Sequence, residues 1–172
     1  LDNQDGANSA ITLSNAANAF TGTVTFTTDT GSNVSLTDNT ALDLQSGLSI
    51  NDLTIVAGGA ITQSGTLTVA GVSSFTAGAN AITLTQGAND FTGAVSLSNS
   101  GSNAVALTDA NALDLGTVGV GQNLTITATG GALTDSGNVT VAGLATIVST
   151  GQAVTLGDST TANFGSLDFA GA

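Results

Sequence analysis

Apolar and polar residues alternate in short runs along the whole chain. The recurring form is an apolar residue, a Ser or Thr and a second apolar residue, as in Ile11–Leu13 and Ile82–Leu84. Alternation with a period of two places successive side chains on opposite faces of a strand, so each run predicts a short strand with one buried face. Gly, Asn and Asp stand between the runs, as at Gly58–Gly59, and suit tight turns. The pattern predicts an all-β chain without helix.

These runs belong to a long internal repeat. The segment AITLTQGANDFTGAVSL at Ala81–Leu97 copies AITLSNAANAFTGTVTF at Ala10–Phe26, so that position 10 recurs at position 81. NALDL at Asn111–Leu115 repeats TALDL at Thr40–Leu44 with the same offset, and a third copy opens with AVTL at Ala153–Leu156. Such a repeat predicts a solenoid, in which each unit buries its apolar face only against its neighbours.

The strand positions of one repeat divide into three coils of three strands. One outward residue per coil gives a predicted column, whose members are Thr12, Ser35, Thr62, Thr83, Ala106, Thr134 and Thr155. The intervals between them recur in the same order, and the longest run from Ser35 to Thr62 and from Ala106 to Thr134. The sequence therefore predicts a parallel β-solenoid of about seven coils with three short strands per coil, and a repeat of about 71–72 residues made of three unequal coils.

Charge and composition exclude several classes of partner. All 12 acidic residues are Asp, and the absence of Lys, Arg and His leaves a net charge of −12. Because no side chain can neutralise phosphate, we expect neither nucleic acid nor an anionic membrane surface as a partner. No run reaches the ~18 consecutive apolar residues of a membrane helix, so we expect no membrane insertion. Without a linker or a shift in composition, we predict one solenoid domain over residues 1–172, cut from a longer chain.

Several runs resemble the repeats of large bacterial exoproteins. The sequences NDFTGAVSL, VALTDANALDL, LTITATGGALTDSGNVTVAG and AITQSGTLTVAG are similar to repeats of filamentous-haemagglutinin-like and autotransporter adhesins, and the resemblance extends from Ala10 to Phe169. It implies a right-handed parallel β-helix from the shaft of a secreted, cell-surface adhesin. It also implies that any contact with a host or neighbouring cell is made by other parts of the parent chain. The secretion motifs of that family contain Pro, which this sequence lacks.

Few residues here could catalyse a reaction. Only Asp, Ser and Thr remain as acid–base or nucleophilic groups, because His, Cys, Lys and Arg are absent. A pair of Asp carboxylates could in principle hydrolyse a glycoside. The β-helix enzymes that this chain resembles, however, also use basic residues for binding or proton transfer. We therefore expect no enzymatic activity and no catalytic residues.

Calcium is the one cofactor for which the chain offers ligands, since carboxylate oxygens suit this ion. The candidate ligands are Asp38 and Asp43 with their counterparts Asp109 and Asp114. Asp38, Asp109 and Asp135 each follow Leu-Thr and are expected at turns. The nine-residue calcium repeat GGxGxDxUx is absent, and three coils, about 14 Å, would separate the two pairs. A solvated acidic face is therefore the main interpretation, and bound Ca²⁺ the alternative.

Two further patterns have a structural and a functional interpretation. The outward Ser and Thr columns could order water as in ice-binding solenoids, but they lack a paired Thr-x-Thr in every coil, so strand propensity explains them better. The motifs Asn18–Phe20 and Asn89–Phe91 are interpreted as corner and core residues. All six Phe fall on the apolar phase, which predicts burial rather than carbohydrate stacking.

The repeat pattern and the resemblance together imply a structural rod segment of a secreted bacterial adhesin or extracellular fibre. The alternatives are a subunit of a self-assembling extracellular matrix filament and an ice-binding or calcium-binding solenoid. Neither residues 1–9 nor residues 157–172 resemble a polar cap. Unpaired strand edges at the two ends would then lead to end-to-end self-association into filaments.

Overall fold

The computed structural model describes residues 2–3, 9–28, 31–45 and 49–170, and every regular element among them is a β-strand. In chain order the strands are β1 (Asp2–Asn3), β2 (Ile11–Leu13), β3 (Thr23–Thr25), β4 (Thr27–Thr28), β5 (Val34–Asp38), β6 (Leu42–Gln45), β7 (Ser49–Ile50), β8 (Leu53–Ala57), β9 (Ile61–Gln63), β10 (Thr68–Val69), β11 (Ser73–Thr76), β12 (Ile82–Leu84), β13 (Asp90–Phe91), β14 (Val95–Ser98), β15 (Val105–Asp109), β16 (Leu113–Val120), β17 (Leu124–Ala128), β18 (Leu133–Asp135), β19 (Val139–Ser149) and β20 (Ala162–Ala170).

Two long ladders of parallel strands form the main walls of a solenoid. The first ladder stacks β2, β5, β8, β11 and β14, and the second stacks β3, β6, β9, β12, β15 and β17. Every pairing within them is parallel, as expected for a chain that returns to the same face after each coil. The predicted fold class, an all-β parallel solenoid, is confirmed.

A third, narrower face completes each coil. There β7, β10 and β13 form a small parallel sheet, and Leu113–Leu115 of β16, paired with β18, takes the same place in later coils. The long strands β16, β19 and β20 pass from one face to the next. The pairing steps that lead up the first ladder from Ile11 to Ala162 give about seven coils and a rise of about 34 Å.

The register between coils differs from the predicted column at two steps. We expected Ser35 beside Thr62, but Ser35 pairs with Thr54. The corresponding step one repeat later is wrong in the same way, because Ala106 pairs with Thr125. The prediction divided each repeat into three coils, whereas the observed coils are shorter. A sequence signal for the observed register is that Ile55 follows Thr54, whereas the polar Gln63 follows Thr62.

Coil length explains why counterpart strands lie on different faces. One coil leads from Val34 of β5 to Leu53 of β8, whereas a longer one leads from Ile82 of β12 to Val105 of β15. Because the observed coils are shorter on average than the predicted ones, each repeat covers slightly more than three of them. β5 lies on the first ladder, whereas its counterpart β15 lies on the second. Likewise β10 lies on the third face, whereas its counterpart, the start of β19, lies on the first ladder. Each copy of the repeat is thus rotated by one face.

The core is a continuous column of apolar side chains inside the coils. Inward residues are buried and outward residues are more exposed on strands such as β5 and β15, so the predicted phase of the alternation is confirmed. The rings of Phe75 and Phe91 pack edge to face, with centroids 6.2 Å apart. Burial weakens in the last coil, where Phe169 is 52% exposed. The expectation that all six Phe are buried is wrong there, because no described strand covers β20.

Successive corners pack so closely that some positions accept only glycine. A Cβ atom on Gly93 would lie 2.3 Å from the carbonyl oxygen of Gly71, and one on Gly130 would lie 2.2 Å from that of Ala110. Both neighbours are backbone atoms of the preceding coil, so the corner cannot adjust by moving a side chain. A side chain at either position would therefore push the two coils apart.

Candidate functional site

Two of the four predicted calcium ligands are buried hydrogen-bond acceptors. Asp38 and Asp109 occupy the last inward positions of β5 and β15 and are 2% and 0% exposed. The backbone N–H of Phe20 in the preceding coil donates to Asp38 Oδ1 at 2.8 Å, and the Thr40 hydroxyl donates to Asp38 Oδ2 at 2.8 Å. The Asp38 carboxylate therefore joins the end of its own strand to the coil below.

Asp109 repeats this arrangement one repeat later. The N–H of Phe91 donates to its Oδ1 at 2.9 Å, and the N–H of Asn111 donates to its Oδ2 at 3.1 Å. Burial raises the pKa of Asp109 above its ordinary value, because desolvation penalises the charged form. The N–H groups of Phe91, Asn111 and Ala110 oppose that increase by stabilising the carboxylate, whereas the charge of Asp90 adds to it.

A third carboxylate of the same kind is Asp135, which sequence reasoning did not identify as a buried residue. It ends β18 and is 7% exposed. It accepts the N–H of Gly157 at 2.9 Å and the hydroxyl of Thr160. All three Asp residues end a strand directly before a bend, at the turns where they were expected, but they are buried rather than part of a solvated face. The alternation in VSLTD and VALTD, which places Asp38 and Asp109 on the inward phase, is the signal for their burial.

The other two predicted ligands lie on the outer side of the wall. Asp43 is half-buried at an outward position of β6 and accepts the hydroxyls of Thr62 at 3.2 Å and Ser64 at 2.8 Å. Asp114 has the same outward position on β16, where its Cα pairs with that of Thr134. Both face solvent, as predicted from their position between two buried leucines.

The wall of the solenoid separates the members of each predicted calcium pair. Asp38 and Asp109 sit at inward positions, whereas Asp43 and Asp114 sit at outward ones. In the described part of the chain, no three acidic side chains are grouped so that they could hold a metal ion. Calcium binding stays a prediction for which these pairs offer no preformed site.

A buried asparagine links three successive coils. Asn89 is 0% exposed, and its Oδ1 accepts the N–H of Leu67 in the coil below at 3.0 Å. Its Nδ2 donates to the carbonyl of Leu84 within its own coil at 3.3 Å and to that of Thr108 in the coil above at 3.1 Å. Its counterpart Asn18 likewise donates to two carbonyls. The predicted corner role of these residues is confirmed.

The outward hydroxyl residues form columns that follow the observed register. On the second ladder Thr62 pairs with Thr83, Thr83 with Ala106 and Ala106 with Thr125. These side chains are exposed or half-buried. Ice binding by such a column stays a prediction.

The described surface has no concave site that resembles an active site. No pocket is found among the residues that the structure describes. The same residues contain no helix that is long and apolar enough to cross a membrane. The polar groups described above instead hold coil to coil, so their chemistry is that of hydrogen-bonded corners.

The comparison with protein families matches nearly the whole chain. The model for repeats of unknown function (DUF5649) matches residues 3–27, 31–98 and 102–171. The last two matches are full units with the offset found in the sequence, and the first corresponds to the end of a unit. Searches of curated proteins and of solved structures gave no significant match. The chain therefore belongs to the family of repeats of unknown function DUF5649.

Proposed function

We propose that this chain is a structural rod, a shaft segment of a secreted bacterial surface adhesin or extracellular fibre. The observation that carries the proposal is the continuity of the two parallel ladders, which together with the crossing strands extend from Ile11 to Ala170. Backbone hydrogen bonds join successive coils along the rod axis. An architecture of this kind supports a spacer that transmits force without a reactive site.

The side chains inside and outside the rod support the same role. The core is apolar through successive coils, so each coil is stable only when it is stacked on others. The net charge of −12 gives every rod the same sign of charge, which opposes lateral clumping until salt screens it. The resemblance to adhesin shafts adds the secreted, cell-surface location and a right-handed coil to the proposal.

Surface labelling of intact cells tests the location. An antibody raised against the folded chain should label fibres or the outer surface of unpermeabilised cells of the source organism, as seen by immunogold electron microscopy. An antibody against a cytoplasmic protein is the control for intact cells. Label that appears only after permeabilisation would refute a surface shaft.

Single-molecule stretching tests the mechanical role. The chain, held between two handles along the rod axis, should resist extension and then lose coils in steps of about 20 residues of contour length, each about 70 Å. Smooth extension at low force, without such steps, would contradict a load-bearing rod.

A further inference from the structure

The last coil ends in a strand with one open edge and exposed apolar side chains. β20 pairs with β19, and no other described strand pairs with it. Leu167 and Phe169 stand at inward positions, opposite the buried residues Ala145 and Ile147, yet they are 41% and 52% exposed. We call β20 with these two side chains the end surface.

The same surface occurs one repeat earlier, where it is covered. Val95 and Leu97 of β14 are the counterparts of Leu167 and Phe169 and are fully buried. β16 in the next coil covers both residues. Its Leu115 pairs with Val95, and its Val118 pairs with Leu97. The molecule therefore contains an internal example of what fits the end surface.

The internal interface also contains a polar contact, and the residue that accepts it has a counterpart at the end surface. The N–H of Thr117 donates to the hydroxyl of Ser96 at 3.1 Å, next to the irregular register between Val95 and Leu97. Asp168 stands at the position of Ser96 and is exposed. Its carboxylate offers the corresponding N–H of an added coil a stronger acceptor than a hydroxyl.

We propose that the end surface is the docking site for the leading coil of a further repeat unit, joined in the same rod. The matching segment is an extended strand like Leu113–Val120, in which Leu-Asp-Leu is followed by two more apolar residues in alternation. The family match supports this assignment, since one unit ends at residue 98 and the covering strand belongs to the unit that begins at 102. The end surface thus repeats the junction between two units.

A second copy of this chain fits the end surface less well. Its first described coil belongs to the match at residues 3–27, which is the counterpart of residues 74–98 and so comes from the end of a unit. Stacking two copies would place one unit end on another and omit the Leu-Asp-Leu strand. End-to-end association of identical chains is therefore the competing outcome.

An extended chain tests the proposal. A copy of Gly101–Gly121 is added after Ala172, which continues the repeat in phase. Phe169→Trp provides the only Trp in a chain that has no Tyr, so its emission reports the end surface alone. We expect the extension to shift this emission to shorter wavelength and to raise the Tm by several degrees. The matched control carries the same extension with Asp in place of the residues copied from Leu113 and Leu115, and should show neither change.

A second variant guards against a failure of the reporter. Leu167→Asp should lower the Tm much more in the extended chain than in the original one, because Leu167 would be buried only in the former. The proposal would be overturned if the unchanged extension and its Asp-containing control had equal effects on the Trp emission and the Tm, or if the unchanged extension altered neither. A concentration-dependent blue shift of Phe169→Trp without any extension would also overturn it, since a second copy would then cover the end. The inference depends on stacking and not on adhesion, so it and the cell-labelling experiment can fail separately.

Discussion

Two segments of nearly the same sequence, Val34–Asp38 and Val105–Asp109, lie on different faces of the solenoid and keep the same neighbours. The first belongs to the first ladder and the second to the second ladder. Yet Asp38 pairs with Ala57 and Asp109 with Ala128, which are counterparts in successive copies of the repeat. The environment of a residue is thus set by the coils before and after it, and these rotate together with the repeat.

The two segments differ in the donors that their Asp residues receive. Asp38 accepts both the backbone N–H and the hydroxyl of Thr40. The counterpart of Thr40 is Asn111, which donates its backbone N–H to Asp109 and has no hydroxyl. In addition to burial, the negative charge of Asp90 raises the pKa of Asp109. Similar backbone positions therefore hold their carboxylates with different sets of donors.

The largest expected effect comes from placing a charge in the core of either segment. Leu107→Asp and its counterpart Leu36→Asp should each lower the free energy of unfolding by about 4 kcal/mol or more, because an unpaired carboxylate would replace a buried apolar group. Ala106→Thr, on the outward phase, should be nearly neutral. Urea unfolding measures these values. If Ala106→Thr cost as much as Leu107→Asp, the inward phase of β15 would be wrong.

The next effect separates two counterpart glycines. Gly93→Ala should cost about 2 kcal/mol, because its Cβ would overlap the backbone of Gly71. Gly22→Ala should cost much less, since nothing lies within 4 Å of a Cβ there. The Tm of each variant gives the comparison, and similar losses would show that the corner contact is not what requires glycine.

Removal of an inward carboxylate should have a smaller effect in both segments. Asp109→Ala and Asp38→Ala each leave backbone N–H groups without an acceptor, which we expect to cost about 1–2 kcal/mol. Asp43→Ala, at an outward position, should change stability by less than about 0.5 kcal/mol. The measurement is the midpoint of urea unfolding at neutral pH. A loss for Asp43→Ala as large as that for Asp109→Ala would contradict the distinction between the two sides of the wall.

The smallest expected effect concerns pH. Because the pKa of Asp109 is raised in the fold, the stability linked to its protonated form is complete below the ordinary carboxyl pKa and is lost as pH rises through the raised value. Asn111→Thr introduces a hydroxyl donor like that of Thr40, which stabilises the carboxylate and should reduce this loss by about 0.5–1 kcal/mol.

Unfolding measured between about pH 3 and pH 7 gives the difference between this variant and the original chain. That difference should grow with pH in favour of the variant. Thr40→Asn in the other segment is the reciprocal test, and it should weaken the fold because Asp38 loses a hydroxyl donor. A difference that does not change with pH for Asn111→Thr would show that the introduced hydroxyl does not reach Asp109.

The pleat of the backbone made much of the fold predictable from the sequence. Alternation within a strand such as Val105–Asp109 depends only on local geometry, so the inward and outward residues could be assigned from the letters alone. The long repeat was equally plain, and the family match has the same spacing. These two features determined an all-β solenoid of about seven coils.

Only the tertiary structure decided which coil lies beside which. Ser35 pairs with Thr54 rather than Thr62. The polar Gln63 after Thr62 favours this register, but the alternation within single strands does not give the length of a coil. Burial of the Asp109 carboxylate likewise depends on an N–H from Phe91, which is remote in sequence. The sequence by itself determined whether a strand residue faces the core or the outside, since that depends on local backbone geometry. The neighbours of that residue in the coils above and below, and the exposure of Phe169, depend on contacts between coils.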